Sequence, residues 1–350
     1  MCDVPIATCE SPTYSQHHEK NPSIPSTSLT SSSISSSPLV SVTYEDETKA
    51  ALVDAIASLA HTSSFPGPQP TSIDRGMFAA LQRDTYLVAE KTDGIRMMLV
   101  FVEVDGYKLA AAFDRSMRSF WMLNFAAVSD AMWQGTLLDG ELVFDQAAKA
   151  WTFLVFDAVC VCGSKCLHLP LDRRLGAAWR ALQRLEHHAS DTVRVETKMF
   201  HLLDEATPAS IRDERFANDG YVFAPMNAPI TLGRHDSYFK LKTHHTVDLK
   251  LGVRGTVNAY NVESKRNVKQ GEIMDDPDAY PPGCILECEL VQFDRAATRR
   301  RWRVVCVRTD KTSANTTFVV EKTLLNAREK LTFEDVKAAA TGRNPSAVGH

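Results

Sequence analysis

Residues 86–100 read YLVAEKTDGIRMMLV, two apolar runs on either side of a polar turn. Runs of this length and composition predict two β-strands joined by a turn at Asp93 and Gly94. Lys91 stands at the end of the first strand, and Gly94 would allow a phosphate to approach the backbone closely. The same letters also suit an ordinary hairpin with a solvated lysine, because Asp-Gly is a strong turn dipeptide. This stretch alone leaves both interpretations open.

The chain as a whole has the composition of an ordinary globular protein. Its 350 residues are 44% apolar and 23% charged, which is enough to bury a sizeable core. The formal net charge of -4 indicates no general affinity for nucleic acid, so such a site would need a local field. We find neither a long apolar run nor a basic-then-apolar amino terminus, and we therefore expect an intracellular protein without a membrane span.

Composition and pattern divide the chain into four segments. Residues 1–43 are rich in Ser, Thr and Pro, which predicts a disordered tail. Short strands without long helical crossovers follow in 44–245 and favour antiparallel sheets. The rhythm of short strands and Gly/Pro/Asp loops in 246–322 predicts a five-stranded OB-fold barrel, and 323–350 predicts a helix and tail. The expected fold class is α+β.

Individual elements follow from periodicity. A helix is expected over residues 51–60, and a second over 172–188 with an Asp cap. The proline-punctuated segment 65–70, FPGPQP, cannot be helix. A last helix would begin at Thr332 with Asp335 three residues on, a variant of the capping box. Further strands are expected at 108–114, 136–145, 152–161, 221–224, 238–242, 247–252, 248–257, 284–293 and 302–307.

Five stretches after Lys91 carry residues that suit a nucleotide site. They are FDR at 113–115, DGELV at 139–143, FLVFDA at 153–158, DGYV at 219–222 and FKLK at 239–242. In this order, behind KTDGIR, they resemble motifs I, Ia, III, IIIa, IV and V of the covalent nucleotidyltransferases, the superfamily of mRNA capping enzymes and ATP-dependent DNA and RNA ligases. The resemblance covers residues 65–320. One motif would be weak evidence, whereas six in order are strong.

Three details favour capping within that superfamily. The FPG of segment 65–70 is similar to the segment that precedes the first motif in capping guanylyltransferases. The sequence KLKTHHTVD at 240–248 resembles their fifth motif, and RTDK at 308–311 resembles the sixth. One departure is Ala314 before Asn315, where the family pattern often has Pro-Asn. We therefore interpret the chain as resembling an mRNA guanylyltransferase.

The resemblance implies a two-step reaction. Lys91 as a neutral amine attacks the α-phosphorus of GTP, expels pyrophosphate and passes GMP to the 5′-diphosphate end of RNA, which forms the GpppN cap. Cationic Lys240 and Lys242 would favour the neutral amine and neutralise charge on the phosphoryl oxygens. Asp219 is the expected ligand of Mg²⁺ or Mn²⁺, because hard carboxylate oxygens suit these ions.

Roles for the other motif residues come from the same resemblance. Seen singly, Phe156 and Val222 could equally be core residues, and Arg115 and Arg96 could equally be solvated surface charges. Asp93 and Arg96 are expected among the catalytic residues. Arg96 and Glu141 would hold the sugar and orient the lysine, and Arg115 would contact the ribose. Phe156 and Val222 would enclose the purine, and the β- and γ-phosphates would be contacted by Arg308, Asp310 and Lys311.

Two alternatives remain: an ATP-dependent polynucleotide ligase with the same lysine chemistry, and a catalytically inactive RNA-binding relative. If the chain is a capping enzyme, its expected partners are GTP, the RNA end, an RNA triphosphatase and a cap methyltransferase acting in trans, and the RNA polymerase II tail. The expected location is nuclear for a cellular protein, and cytoplasmic or virion for a viral one.

Overall fold

The computed structural model describes residues 46–294, 299–309 and 311–342, so the predicted tail at 1–43 lies outside the described residues. The helices are α1 Asp46–Ala60, α2 Phe78–Leu81, α3 Asp130–Trp133, α4 Leu171–Leu182, α5 Pro208–Ile211, α6 Thr317–Glu329 and α7 Phe333–Ala340. The strands are β1 Pro68–Ser72, β2 Tyr86–Thr92, β3 Ile95–Val104, β4 Tyr107–Phe113, β5 Phe120–Met122, β6 Ala127–Val128, β7 Thr136–Asp145, β8 Ala150–Val161, β9 Ser164–Lys165, β10 Leu185–Glu186, β11 Arg194–Thr197, β12 His201–Leu202, β13 Asn218–Pro225, β14 Gly233–Lys242, β15 Thr246–Leu251, β16 Thr256–Asn261, β17 Arg266–Ile273, β18 Ile285–Asp294 and β19 Arg299–Val307.

The described residues form two compact units. Of the described residues, the first unit contains 46–244 and 329–342, and the second contains 245–328. Over the described ranges, no helix is long and apolar enough to cross a membrane.

One sheet of the first unit carries the KTDGIR lysine. Its strand order is β1-β14-β13-β2-β12, with antiparallel pairing except between β1 and β14, which are parallel. Alternate residues of β2 face opposite ways, so Tyr86 and Val88 join a buried cluster with Phe223 of β13. Helix α7 closes this cluster with Phe333 and Val336, both buried. Lys91 therefore lies on the other face of the sheet.

A second sheet in the same unit has the path β11-β8-β7-β3-β4-β5, with β9 beside β8. Strand β3 is buried on both faces, and its side chains separate with period two. Met97 and Leu99 pack in the cluster that contains helix α4, whereas Met98 and Val100 pack in the cluster that contains α1. Helices thus cover both faces of the sheet.

The second unit is a closed barrel with the order β15-β16-β17-β19-β18. Its core contains Leu249, Val257, Leu286 and Trp302, and helix α6 adds Val320 to that core. The predicted α+β class, antiparallel sheets followed by a five-stranded barrel, is confirmed. The capping box at Thr332 and Asp335 is also confirmed.

Several predicted boundaries were wrong for identifiable reasons. The helix expected over 172–188 ends at Leu182, because buried Leu185 belongs to a short strand paired with β6. Asp172 lies in the first turn of this helix, and the N-cap is Pro170. The end of the FPGPQP segment is strand β1, at an edge where proline is tolerated.

The barrel also differs from the expectation in its details. The single strand expected over 248–257 is two strands, broken by a turn in which Arg254 takes a φ of 55°. Strand β17 and helix α6 were not predicted from the sequence.

Candidate active site

A β-bulge brings Asp219 against Lys91. In the ladder between β2 and β13, Glu90 lies opposite Tyr221 and Thr92 lies opposite Asn218, so two residues of β13 face Lys91 alone. An extra residue of this kind shifts the side chains that precede it to the other face. Asp219 therefore points toward Lys91 and not toward the core, and its Oδ1 lies 2.7 Å from Lys91 Nζ.

The bulge depends on Gly220. Its φ is +139°, and a Cβ atom there would lie 1.9 Å from the carbonyl oxygen of Leu241. Only glycine fits so close to the neighbouring strand. The Asp-Gly pair at 219–220 is therefore a structural requirement for placing the carboxylate.

Two lysines of β14 complete a cationic cluster. Lys242 Nζ lies 2.9 Å from Asp219 Oδ2, and Lys240 lies opposite Val222 on the same strand face as Lys242. Burial, with the charges of Lys242 and Lys91 adding to it, lowers the pKa of Lys240 to about 8. Burial would raise the pKa of Asp219, but Lys91 and Lys242 outweigh it and the pKa is lowered. Asp219 is thus ion-paired with both Lys91 and Lys242.

Glu141 is connected to the lysine strand through Thr92. Thr92 donates a short hydrogen bond from Oγ1 to Glu141 Oε2, and Lys198 Nζ donates to Thr92 Oγ1 at 2.8 Å. Lys198 also lies 3.8 Å from Glu141. Burial lowers the pKa of Lys198, and the charge of Glu141 opposes that shift. A carboxylate and a largely buried amine therefore meet at the hydroxyl of Thr92, the residue that follows Lys91.

Arg96 holds the FPG segment. Its guanidinium donates to both oxygens of Asp139, at 3.0 and 2.6 Å, and to the Pro68 carbonyl at 2.8 Å. Aromatic rings of Phe65 and Phe156 lie 5.4 and 5.3 Å from its central carbon. All three guanidinium nitrogens are engaged, so Arg96 is fixed as a planar cation between two rings.

Gly67 permits this close approach of the segment. A Cβ atom on Gly67 would lie 2.4 Å from Asp139 Oδ2 and 2.5 Å from Arg96 Nη2. The FPG sequence is therefore explained by contact with the buried ion pair.

Four other predicted residues of the first unit differ in their relation to the lysine cluster. Phe156 and Val222 are half-buried, and Val222 shares its sheet face with Lys240. Arg115 is exposed in the turn after β4, near enough for its charge to contribute to the lowered pKa of Lys240. Asp93 is exposed in the turn after β2, where its backbone N–H donates to the Ala217 carbonyl at 2.8 Å. The structure does not bring the Asp93 side chain into the lysine cluster.

Two predicted cations of the barrel converge on one carboxylate. Arg308 Nη1 lies 3.0 Å from Asp248 Oδ1, and Lys311 makes a short ion pair with Oδ2 of the same residue. Asp248 is buried, and its backbone N–H is held by Asn315. Asp310 lies outside the described residues.

Comparison with known proteins supplies the family. The model of the mRNA capping enzyme catalytic domain matches residues 37–244, more than half of the chain. The chain belongs to the mRNA capping enzyme family. The predicted recognition and the predicted class of enzyme, a nucleotidyltransferase, are thereby confirmed.

Curated relatives agree with the family match. The mRNA-capping enzyme subunit alpha of Schizosaccharomyces pombe is 27% identical, over 80% of this chain and 81% of that protein. The protein of the same name from Neurospora crassa is 28% identical, over 79% and 84%. A solved mycobacterial DNA ligase D, complexed with ATP and MES, is 15% identical with a TM-score of 0.41, over 70% of this chain and 96% of that one. The assignment depends on the capping-enzyme matches.

Some residues of this capping-enzyme site were missed by sequence reasoning. Lys198 lies outside every motif quoted above, and only the structure shows that it adjoins Thr92 and Glu141. Asp139 was part of a quoted motif, yet its partnership with Arg96 depends on the register between β3 and β7, which sequence pattern does not fix.

Proposed function

We propose that this chain transfers GMP from GTP to the 5′-diphosphate end of RNA through a covalent bond between Lys91 and GMP. The observation that carries the proposal is the half-buried Lys91 amine, 2.7 Å from Asp219, with Lys242 on the other carboxylate oxygen. The neighbouring cations Lys240 and Lys242 would attract the phosphates of a nucleotide to this amine.

The first half-reaction begins when the Lys91 ammonium loses a proton to solvent. The neutral Nζ forms a bond to the α-phosphorus of GTP as the bond to the bridging oxygen of pyrophosphate breaks, and the nitrogen then releases a second proton to solvent. Lys240 and Lys242 would neutralise the phosphoryl oxygens. In the second half-reaction a terminal phosphate oxygen of the RNA bonds to the same phosphorus, the N–P bond breaks, and the Lys91 nitrogen regains both protons.

A divalent metal, Mg²⁺ or Mn²⁺, fits this site as a companion of the nucleotide. Within the described ranges, no group of three or more His, Cys, Asp or Glu side chains is placed to hold an ion. Asp219 Oδ1 is buried, and apart from its ion pair with Lys91 it lacks a hydrogen bond of regular geometry. Since Mg²⁺ often takes one or two protein carboxylates and substrate phosphates, Asp219 would hold it. Such an ion would neutralise part of the negative charge on the phosphates.

The surrounding groups have supporting roles in this proposal. Arg96 keeps the FPG segment and Phe156 in place, and Phe156 and Val222 contact the purine. Arg115 and Glu141 contact the sugar. The RNA triphosphatase and cap methyltransferase activities would come from partners, and a nuclear site of action follows from capping of nuclear transcripts.

The decisive experiment is mass analysis of the purified protein after incubation with GTP and Mg²⁺ or Mn²⁺. We expect a mass increase of one GMP that maps to Lys91. The Lys91→Arg variant should give none, because a guanidinium stays protonated. A matched incubation with ATP tests the ligase alternative, since an AMP adduct in preference to GMP would contradict the proposal.

A further inference from the structure

Glu90 is a buried carboxylate next to the proposed nucleophile. It is 6% exposed and lies opposite Tyr221 in the ladder, so it occupies the sheet face away from Lys91. A carboxylate buried to this degree needs hydrogen-bond donors. The mechanism above gives Glu90 no task.

Within the described residues, two donors to Glu90 come from the segment that runs into the first residue of β13. The Asp213 backbone N–H donates to Oε2 at 2.9 Å, and Asn218 Nδ2 donates to Oε1 at 2.9 Å. A further hydrogen bond joins this segment to the turn after β2: the Asp93 backbone N–H donates to the Ala217 carbonyl at 2.8 Å. The segment 212–218 is therefore fastened to the end of the lysine strand.

Asn218 is the last residue before the bulge that delivers Asp219. On the far side of Asp219, Gly220 lies opposite Lys242 in the ladder between β13 and β14, where an added Cβ would clash with the Leu241 carbonyl. On the near side, the side-chain anchor is the hydrogen bond from Asn218 to Glu90. The carboxylate that faces Lys91 is thus held between two fixed points.

We propose that Glu90 is a positioning residue that holds Asp219 against Lys91 by anchoring Asn218. The inference rests on the proposed function and deepens it. Neighbouring residues of β2 face opposite sides of the sheet. Lys91 would react on one side, and Glu90 on the other side would fix Asp219, the partner of Lys91.

The test uses Glu90→Gln, which keeps the shape but leaves one of the two donors facing an amide NH₂ group. We expect faster amide hydrogen exchange at Asp213 and Asp93, and a rate of Lys91–GMP formation at saturating GTP about tenfold lower, the effect of losing one hydrogen bond to a charged group. The final adduct yield should be unchanged. Asn218→Ala, at an exposed position, should reproduce much of the loss and keeps the test valid if Glu90→Gln folds poorly. Glu103→Gln, on β3, is the matched control.

A double-mutant cycle separates positioning from general stabilisation. If Glu90 acts through Asp219, Glu90→Gln should have little further effect on the rate in an Asp219→Asn background. Full additivity, or a loss of yield at an unchanged rate, would overturn the inference. Absence of the adduct in the unsubstituted protein would instead reject the proposed function.

Discussion

The Nζ atom of Lys198 donates a hydrogen bond to Oγ1 of Thr92 at 2.8 Å, which ties a largely buried cation to the residue that follows Lys91. Removing the cation leaves Glu141 without its partner charge, and an uncompensated buried charge is costly. We therefore expect Lys198→Met to slow Lys91–GMP formation by about tenfold or more, measured by single-turnover labelling. Lys165→Met, on an exposed strand end, is the control and should keep the normal rate. A normal rate in folded Lys198→Met would count against this network.

Binding of GTP should depend on pH through Lys240. Its pKa is lowered to about 8, so the amine is charged below that pH and neutral above it. Phosphate binds the charged form, and the affinity for GTP is therefore expected to fall as the pH rises through about 8. Calorimetric titration of the Lys91→Arg protein with GTP between about pH 7 and 9 measures this without chemistry. Lys240→Met should bind more weakly at pH 7 and show a flatter profile; a profile as steep as before would place the titrating group elsewhere.

The metal dependence of guanylylation should show whether Asp219 is a metal ligand. Asp219→Asn removes the anionic oxygen that we propose for the ion, so the Mg²⁺ or Mn²⁺ concentration for half-maximal guanylylation is expected to rise several-fold. The measurement is a metal titration of adduct formation at fixed GTP. Asp236→Asn, an exposed acid on β14, is the matched control. An unchanged titration would move the proposed ligand to Glu141.

The barrel cations should affect the two half-reactions unequally. Arg308 and Lys311 are proposed to act on the β- and γ-phosphates of GTP, which are absent once pyrophosphate has left. We expect Arg308→Ala or Lys311→Ala to slow adduct formation strongly, while preformed Lys91–GMP discharges to diphosphate-ended RNA at a rate closer to normal. Arg303→Ala, which removes an exposed ion pair from the preceding strand β19, controls for surface charge. Equal losses in both steps would indicate a structural role instead.

Much of this site could be predicted because its residues lie in short stretches that are recognisable in the sequence. The Lys-Thr-Asp-Gly turn, the Asp-Gly pair at 219–220 and the two lysines of β14 all lie in short stretches whose strand character is visible. The sequence pattern could not predict the register in which the strands pair. Asp219 would face the core in an unbulged strand, and only the ladder between β2 and β13 shows that it faces Lys91.

Errors in the fold have a similar origin. Leu185 has the spacing of a helical residue, but strand pairing with Val128 outweighs helix continuation. Strand β17 contains two basic residues, one acidic residue and a glycine in eight positions, so its weak apolar pattern did not indicate a strand. Long-range pairing decided both cases.

Helix α7 contributes Phe333 to the reverse side of the strand that carries Asp219, with ring centroids 4.9 Å from Tyr221 and 6.1 Å from Phe223. The core under the catalytic sheet thus includes residues made more than a hundred positions after the strand itself. During synthesis the ribosome has to release the barrel and then α7 before this core can close. The sheet that carries Lys91 therefore matures after the barrel strands have been made, and a nascent chain that stops short of α7 would display the apolar back of the sheet to chaperones.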